Sequence, residues 1–346
     1  MTSSKPRLQS LIFECAQRCN HACLHCYNIW QAPGSDYPRG EADTERALAL
    51  LTKALDETDC RHVTFTGGEP LLRDDLPVLL DFLRDRGVQS TIISNGRLLD
   101  EATVVDLLDR GLGLFELPLL SHRREVHDRL SGLPGSWDAV LRAMANIRLH
   151  HGQFVAAFVA TRINIGDVRE VMRMAFAFGA RAVMFNRFNA GGRGLIHLEE
   201  LGPGLGQLRQ ALGEAEAASI EYGLPVACSI PIQPCLIDMS AYPHLGFGFC
   251  AAGTERAYYT LDPLGNVRPC NHTPTVLGNL FEESFADLVA PERMADFVAA
   301  IPPACAGCSR RAECQGGCKA AAQVCYGSLT AEDPFLRANL PAAIRL

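Results

Sequence analysis

Between Cys60 and Cys228 the chain has no cysteine, although it carries 14 in all. Cys15, Cys19, Cys23 and Cys26 crowd the start, and Cys60 stands alone. Cys228, Cys235, Cys250, Cys270, Cys305, Cys308, Cys314, Cys318 and Cys325 fill the last third. This distribution calls for a cysteine site at the start, a cysteine-free scaffold and a cysteine-dense module at the end. At 346 residues the chain buries a core large enough to need no disulfide staples. Met1–Gln9 is polar, and Leu11-Ile12-Phe13 is too short for the apolar core of a signal peptide. No stretch approaches the ~18 apolar residues of a membrane span. The thiols are therefore expected to be reduced, in a cytoplasmic chain, and to serve metal or redox chemistry. A net charge of −7 leaves no basic footprint for nucleic acid. Neither nucleic acid nor membrane is expected as a partner.

The scaffold alternates β-rich runs with amphipathic helical patterns. Strands are predicted at Gln9–Glu14, His62–Thr66, Ser90–Ser94, Leu114–Leu119, Phe154–Thr161 and Ala182–Asn186. Helices are predicted at Glu45–Glu57, Leu76–Arg86, Glu101–Arg110, Trp137–His150, Val168–Phe178 and Leu205–Tyr222. Gly87, Gly111 and Gly179 follow helices as C′ glycines do. Such alternation implies parallel βαβ units, in either a partial (β/α) barrel or an open doubly wound sheet. The rhythm stops near residue 225. This divides the chain into a scaffold over 1–225 and a Pro-, Gly- and Cys-rich module over 226–346, with helix expected at Ala320–Ala322 and at the Ala-rich C-terminal end.

Cys19, Cys23 and Cys26 form a C-x3-C-x2-C loop directly after the first strand. Three thiolates on one tight loop suit a cubane cluster with one iron left open, since a full set is four. A zinc site would need a fourth ligand from His21, His25 or Cys15. The loop falls at the C-terminal edge of a parallel sheet, where α/β active sites form. The next two strands end in Thr66-Gly67-Gly68-Glu69-Pro70 and Ser94-Asn95-Gly96. The paired glycines permit close backbone approach to a ligand. Glu69 can accept from an ammonium group, and Ser94 and Asn95 suit ribose hydroxyls.

The triplet followed by Gly-Gly-Glu-Pro closely resembles the radical S-adenosylmethionine (SAM) superfamily, over about residues 8–186. The resemblance implies a partial (β/α)6 barrel. It also implies a [4Fe-4S] cluster on Cys19, Cys23 and Cys26 whose open iron chelates SAM, and cleavage of SAM to a 5′-deoxyadenosyl radical that abstracts hydrogen. Gly67, Gly68, Glu69 and Pro70 would then face the methionine amine, and Ser94 and Asn95 the ribose. Many relatives carry Ser-x-Asp-Gly at the fourth strand end. Here Leu119-Leu120-Ser121-His122 stands before a matching His127-Asp128 pair, which carries Ser121 over as a SAM contact. Arg162, ending the fifth strand, is expected either to pair with the SAM carboxylate or to be solvated. Asn186–Leu195, with Gly191-Gly192, is read either as a SAM- or substrate-contacting loop or as a glycine turn.

At the C-terminal end, Cys250-x14-Gly265-x4-Cys270, then Cys305-x2-Cys308-x5-Cys314-x3-Cys318, then Cys325, resembles the SPASM extension of radical SAM peptide-modifying enzymes. That resemblance implies two auxiliary iron–sulfur clusters, expected as [4Fe-4S]. Cys250, Cys270 and Cys318 would hold the first, and Cys305, Cys308, Cys314 and Cys325 the second. The first lacks one ligand, for which Cys235 is the leading candidate and Cys228 the next. The gap before Cys325 is shorter than in relatives. Cys15 is expected to be a core thiol, since free cysteine is commonly buried.

The expected substrate is a ribosomally made precursor peptide, crosslinked, epimerised or oxidised. The alternative is a small molecule or tetrapyrrole, as in haem-pathway decarboxylation. A non-enzymatic electron carrier or zinc-stabilised scaffold is the reading from another class. About seven residues precede the first predicted strand, so either leader recognition is expected to need a separate leader-binding protein or the substrate has no leader. Electrons are expected from a flavodoxin or ferredoxin. No general acid or base stands out.

Overall fold

The computed structural model describes residues 5–339. The scaffold elements are β1 (Leu11–Ala16), α1 (Thr44–Glu57), β2 (His62–Gly67), α2 (Leu76–Asp85), β3 (Gln89–Ile93), α3 (Glu101–Asp109), β4 (Leu114–Pro118), α4 (Arg124–Ser131), α5 (Ser136–Leu149), β5 (Phe154–Ala160), α6 (Val168–Phe178), β6 (Ala182–Arg187), α7 (Leu198–Leu201) and α8 (Leu205–Tyr222). The remainder holds β7 (Val226–Cys228), β8 (Leu245–Phe247), β9 (Tyr259–Leu261), β10 (Asn266–Arg268), β11 (Gly278–Asn279), α9 (Phe285–Leu288), α10 (Pro291–Ala299), α11 (Arg311–Cys314), α12 (Lys319–Tyr326) and α13 (Pro334–Asn339). The helix expected at the Ala-rich end beyond 339 lies outside the described residues.

Each scaffold helix has a local cause. Asp43 and Asp100 cap α1 and α3 by accepting from the amides of Arg46 and Thr103. Gly179, in left-handed backbone at φ 83°, ends α6. Helix α4 was not anticipated. Half of its eight residues are charged, and only His127, Leu130 and Ser131 turn inward.

Strands β1 to β6 pair side by side in parallel. Alternate residues of these strands, among them Phe13, Phe65, Phe115, Phe158 and Phe185, are fully buried in the core. The order β11-β10-β9-β1-β2-β3-β4-β5-β6-β7-β8 leaves β11 and β8 as the outer strands. The sheet is the partial TIM-type barrel, and the open doubly wound alternative is set aside. Residues past 225 extend the sheet at both ends. β7 joins β6 in parallel, and β9 joins β1 with Leu11 opposite Tyr259.

Buried polar contacts tie the later residues to the barrel. Arg268 and Glu14 form an ion pair with both side chains almost fully enclosed, and Tyr37 donates to Asp262 at 2.7 Å. Arg187, ending β6, meets Asp333 at 2.5 Å, also fully buried. Among the described residues no helix is long and apolar enough to cross a membrane.

Candidate functional site

The loops after β1, β2 and β3 are bonded into one assembly. Glu69 is buried. Its carboxylate accepts from Ser94 Oγ at 2.9 Å, from the Asn95 amide at 2.8 Å and from the Leu71 amide at 3.1 Å. Asn95 in turn donates to Asn20 Oδ1 at 2.7 Å, inside the cysteine loop. The amides of Gly68 and Glu69 donate to the carbonyls of Ala16 and Arg18 at 2.7 and 2.8 Å. A Cβ at Gly67 or Gly68 would run into those carbonyl oxygens, so the double glycine is what lets the two loops touch. Burial pushes Glu69 up to about 7, against the three hydrogen bonds that favour its ionised form.

The triplet is held from the other side as well. Leu24 donates its amide to Leu130 O at 2.9 Å, and a Cβ at Gly132 would strike the Ala22 carbonyl. Gly192, at φ 45°, packs under the Cys26 and Asn28 carbonyls, and Gly194 donates to Cys26 O at 3.0 Å. Asn186–Leu195 thus braces the cysteine loop through its glycines. Cys19 is exposed, and Cys23 and Cys26 are half-buried. Burial, then their mutual charge, raises Cys23, and burial lifts Cys26 to about 11. The same burial lowers His21 and His25 to about 4. His21 Nε2 and His25 Nδ1 have no hydrogen-bond partner among the described residues.

Three other predicted positions sit differently. Ser121 is fully buried and donates its hydroxyl to Asp167 at 2.5 Å, which also holds Arg123. A structural partner therefore occupies the hydroxyl expected to meet SAM. Arg162 turns outward. It donates to Gly202 O at 2.9 Å and lines a cavity of about 290 Å³ with Gln207, Gln210 and Glu214, the placement of the solvated reading. In the His127-Asp128 pair, Asp128 caps α5 through Gly135, Ser136 and Trp137. His127 accepts from the Leu120 amide at 3.3 Å.

The later cysteines fall into two groups. Cys250, Cys270 and Cys318 line a cavity of about 50 Å³ with Tyr258 and His272. Burial, then the neighbouring thiols, lifts Cys270 to about 12. The second group contains Cys305, Cys308 and Cys314 together with Cys235, which lie within electrostatic reach of one another. Cys325 lies by Cys318 and Asp333 instead. This differs from the expected grouping, which set Cys235 with the first group and Cys325 with the second. The reason is helical: Cys318 caps α12 and Cys325 lies within it, so the six intervening residues cannot leave the helix. Cys228 is a core thiol on β7, as Cys15 is on β1. Among the described residues no three His, Cys, Asp or Glu side chains converge on a single metal-ion position.

A family model for the radical SAM superfamily matches residues 13–175, and one for the SPASM iron–sulfur cluster-binding domain matches residues 250–310. The chain carries a radical SAM domain followed by a SPASM iron–sulfur cluster-binding domain. Similar proteins include the PqqA peptide cyclase of Gluconobacter oxydans, 28% identical over 345 residues, covering 96% of this chain and 91% of the relative. That of Granulibacter bethesdensis is 27% identical over 352 residues, covering 96% and 88%. Among solved structures, Streptococcus suis SuiB bound to precursor peptide SuiA superposes with TM-score 0.73 at 16% identity, covering 98% of this chain and 76% of that one. Native anSMEcpe with bound AdoMet gives TM-score 0.73 at 17% identity, covering 96% and 95%. These structural likenesses establish the fold.

The donor set suits the superfamily's cofactors. Thiols grouped three, three and four are the chemistry of iron–sulfur clusters, and the unpartnered imidazole nitrogens lie in the cysteine loop itself. In this radical SAM chain the two cysteine regions also touch. Tyr27, next to Cys26, packs tilted against His272 with ring centroids 4.2 Å apart, and its hydroxyl accepts from Asn271 at 2.9 Å. Asn189 reaches both His272 Nδ1 at 3.3 Å and Cys318 Sγ at 3.4 Å. Sequence reasoning missed Tyr27, because 244 residues separate it from Asn271. The adjacency of Tyr27 to Cys26 and of His272 to Cys270 was the available signal. Glu116 was missed too. It is a half-buried β4 carboxylate that burial alone raises to about 7.

Proposed function

We propose that the chain is a peptide maturase that cleaves SAM reductively and abstracts hydrogen from a ribosomally synthesised peptide. The observation that carries this reading is the hydrogen-bonded chain of Asn20, Asn95, Glu69 and Ser94 that runs from the loop of Cys19, Cys23 and Cys26. Cys19, Cys23 and Cys26 would hold the [4Fe-4S] cluster, and Gly67, Gly68, Glu69, Pro70 and Asn95 would frame SAM. Bound there, the cluster and SAM supply a 5′-deoxyadenosyl radical. The glycines keep the cysteine loop close to the β2 loop, and Glu69 fixes the β3 loop at the right height. Residues 1–225 form the barrel unit and 226–346 the auxiliary-cluster unit.

A peptide substrate is favoured because the curated relatives are PqqA peptide cyclases and SuiB has been solved with a precursor peptide. A separate leader-binding protein and a reduced flavodoxin or ferredoxin in the cytoplasm complete the proposed system. The test is anaerobic incubation of the iron-loaded chain with SAM, reductant and a deuterated candidate peptide. Deuterium in 5′-deoxyadenosine and a peptide short of a pair of hydrogens are expected. Intact SAM over an iron-loaded chain would overturn the enzymatic reading, and undeuterated 5′-deoxyadenosine would overturn the peptide one.

A further inference from the structure

The SPASM resemblance gives the final cysteine, Cys325, to the second cluster. The fold separates it from that group. Helix α12 begins just after Cys318, and Cys325 lies seven residues on, about 10 Å along the same face. There it packs against the cluster of Leu120, Leu130, Phe188, Ala190 and Leu201 at the barrel mouth.

Cys235 is held where Cys325 is not. The segment before it is pinned twice. Arg187 Nε donates to Pro231 O at 2.7 Å, and the Gln233 side chain is buried against Gly317, whose φ of 96° leaves no room for a Cβ. The segment after it is pinned as well. The amides of Leu236 and Ile237 donate to Gln233 O, and Arg209 donates to Leu236 O at 2.7 Å. Gly317 lies between Cys314 and Cys318, and Cys318 donates its amide to Asp333 at 2.8 Å, the partner of Arg187. One buried assembly therefore sets the Cys235 turn against the Cys314–Cys318 turn. Cys235 itself is exposed, as is Cys308. Both amide atoms of Gln233 and Oε1 of Gln315, in this same region, lack hydrogen-bond partners among the described residues. Four thiols in one group are the complete set for a cubane.

We infer that Cys235, Cys305, Cys308 and Cys314 are the full ligand set of one auxiliary iron–sulfur cluster, with Cys235 in the place that the SPASM resemblance gives to Cys325. Cys250, Cys270 and Cys318 then serve the other, with Cys325 at its edge. The inference rests on the radical SAM and SPASM reading. Its test uses the anaerobically reconstituted full chain, counting iron and sulfide and recording electron paramagnetic resonance of the reduced protein. The parent should hold about twelve irons. Cys235→Ala and Cys308→Ala should each lose about four, with the same signal disappearing, and the double variant should lose no more than either alone. Cys325→Ala should keep that signal. Cys235→Ala with undiminished iron, or Cys325→Ala losing the signal that Cys308→Ala loses, would overturn the assignment. Circular dichroism and a Cys235→Ser variant guard against misfolding. Alkylation of the unmutated chain gives an independent readout. Cys235, exposed in the fold, should resist iodoacetamide until iron is chelated, and prompt labelling of the loaded protein would also overturn the assignment. 5′-Deoxyadenosine formed by the Cys235 variants shows that the SAM site survives. Its absence from every loaded protein, the parent included, would instead count against the enzymatic reading.

Discussion

The two cysteine regions are built by opposite means. The N-terminal triplet sits on a loop that the barrel braces through backbone. Glycines at 67, 68, 132 and 192 let neighbouring loops press directly on its carbonyls. The C-terminal cysteines sit among strands of two or three residues and are located by buried side-chain charges, Arg187 on Asp333 and Arg268 on Glu14. Backbone bracing tolerates no added atoms, whereas charge pinning tolerates no lost partner. The regions should therefore fail under different substitutions.

The largest effect is expected from Cys23→Ala. Formation of 5′-deoxyadenosine should fall to background while the auxiliary clusters' iron remains, as mass spectrometry and iron counting would show. Asp333→Ala should come next, at about 3–5 kcal/mol, because it leaves the Arg187 guanidinium buried and unpaired. Denaturant unfolding measures this loss. If the comparison holds, auxiliary iron drops and the triplet's cluster stays. Gly68→Ala should cost about 1–3 kcal/mol by forcing the β2 loop off the Arg18 carbonyl. It should weaken SAM binding in equilibrium dialysis and leave auxiliary iron intact, and equal damage to both regions would break the contrast.

Acidity gives a smaller effect. Burial holds Glu116 near 7, above its ordinary 4.5, so the folded chain binds a proton that the unfolded chain releases. The stability this contributes is full below about 4.5 and is lost as pH rises through about 7. Thermal unfolding of Glu116→Gln should depend less on pH over that window than the parent does, and an unchanged profile would refute the shift. The smallest effect belongs to Arg162→Ala. The side chain is turned outward, so SAM cleavage should be unchanged and stability altered by less than about 1 kcal/mol. A lost SAM affinity would restore the arginine to the site.

The barrel was legible because its signals are local. Period-2 and helical patterns placed β1 to β6 within a few residues, and the glycines marked helix ends. The short α7 and α4 escaped, α4 because its charged surface hides Leu130 and His127. At the SAM site, the three strand-end motifs could be read as a set because each lies at the end of its own strand. What Ser121 and Arg162 do depends on Asp167 and Gly202, which the chain's order does not place beside them. The partition of the later cysteines was illegible for a related reason. Spacing shows which thiols are near in sequence, but whether an intervening segment coils into a helix decides where a thiol ends up, and α12 decided it for Cys325.

The pairing of β9 with β1 also governs the order of assembly. During synthesis, β1 can find β2 early, but its other edge must wait for residues 259–261. At ~5–20 residues per second the ribosome leaves that edge bare for roughly ten seconds or more. A bare apolar edge is a template for aggregation. Folding helpers that act on nascent chains, and the yield of soluble protein from slowed translation, should matter more for this chain than its final stability would suggest.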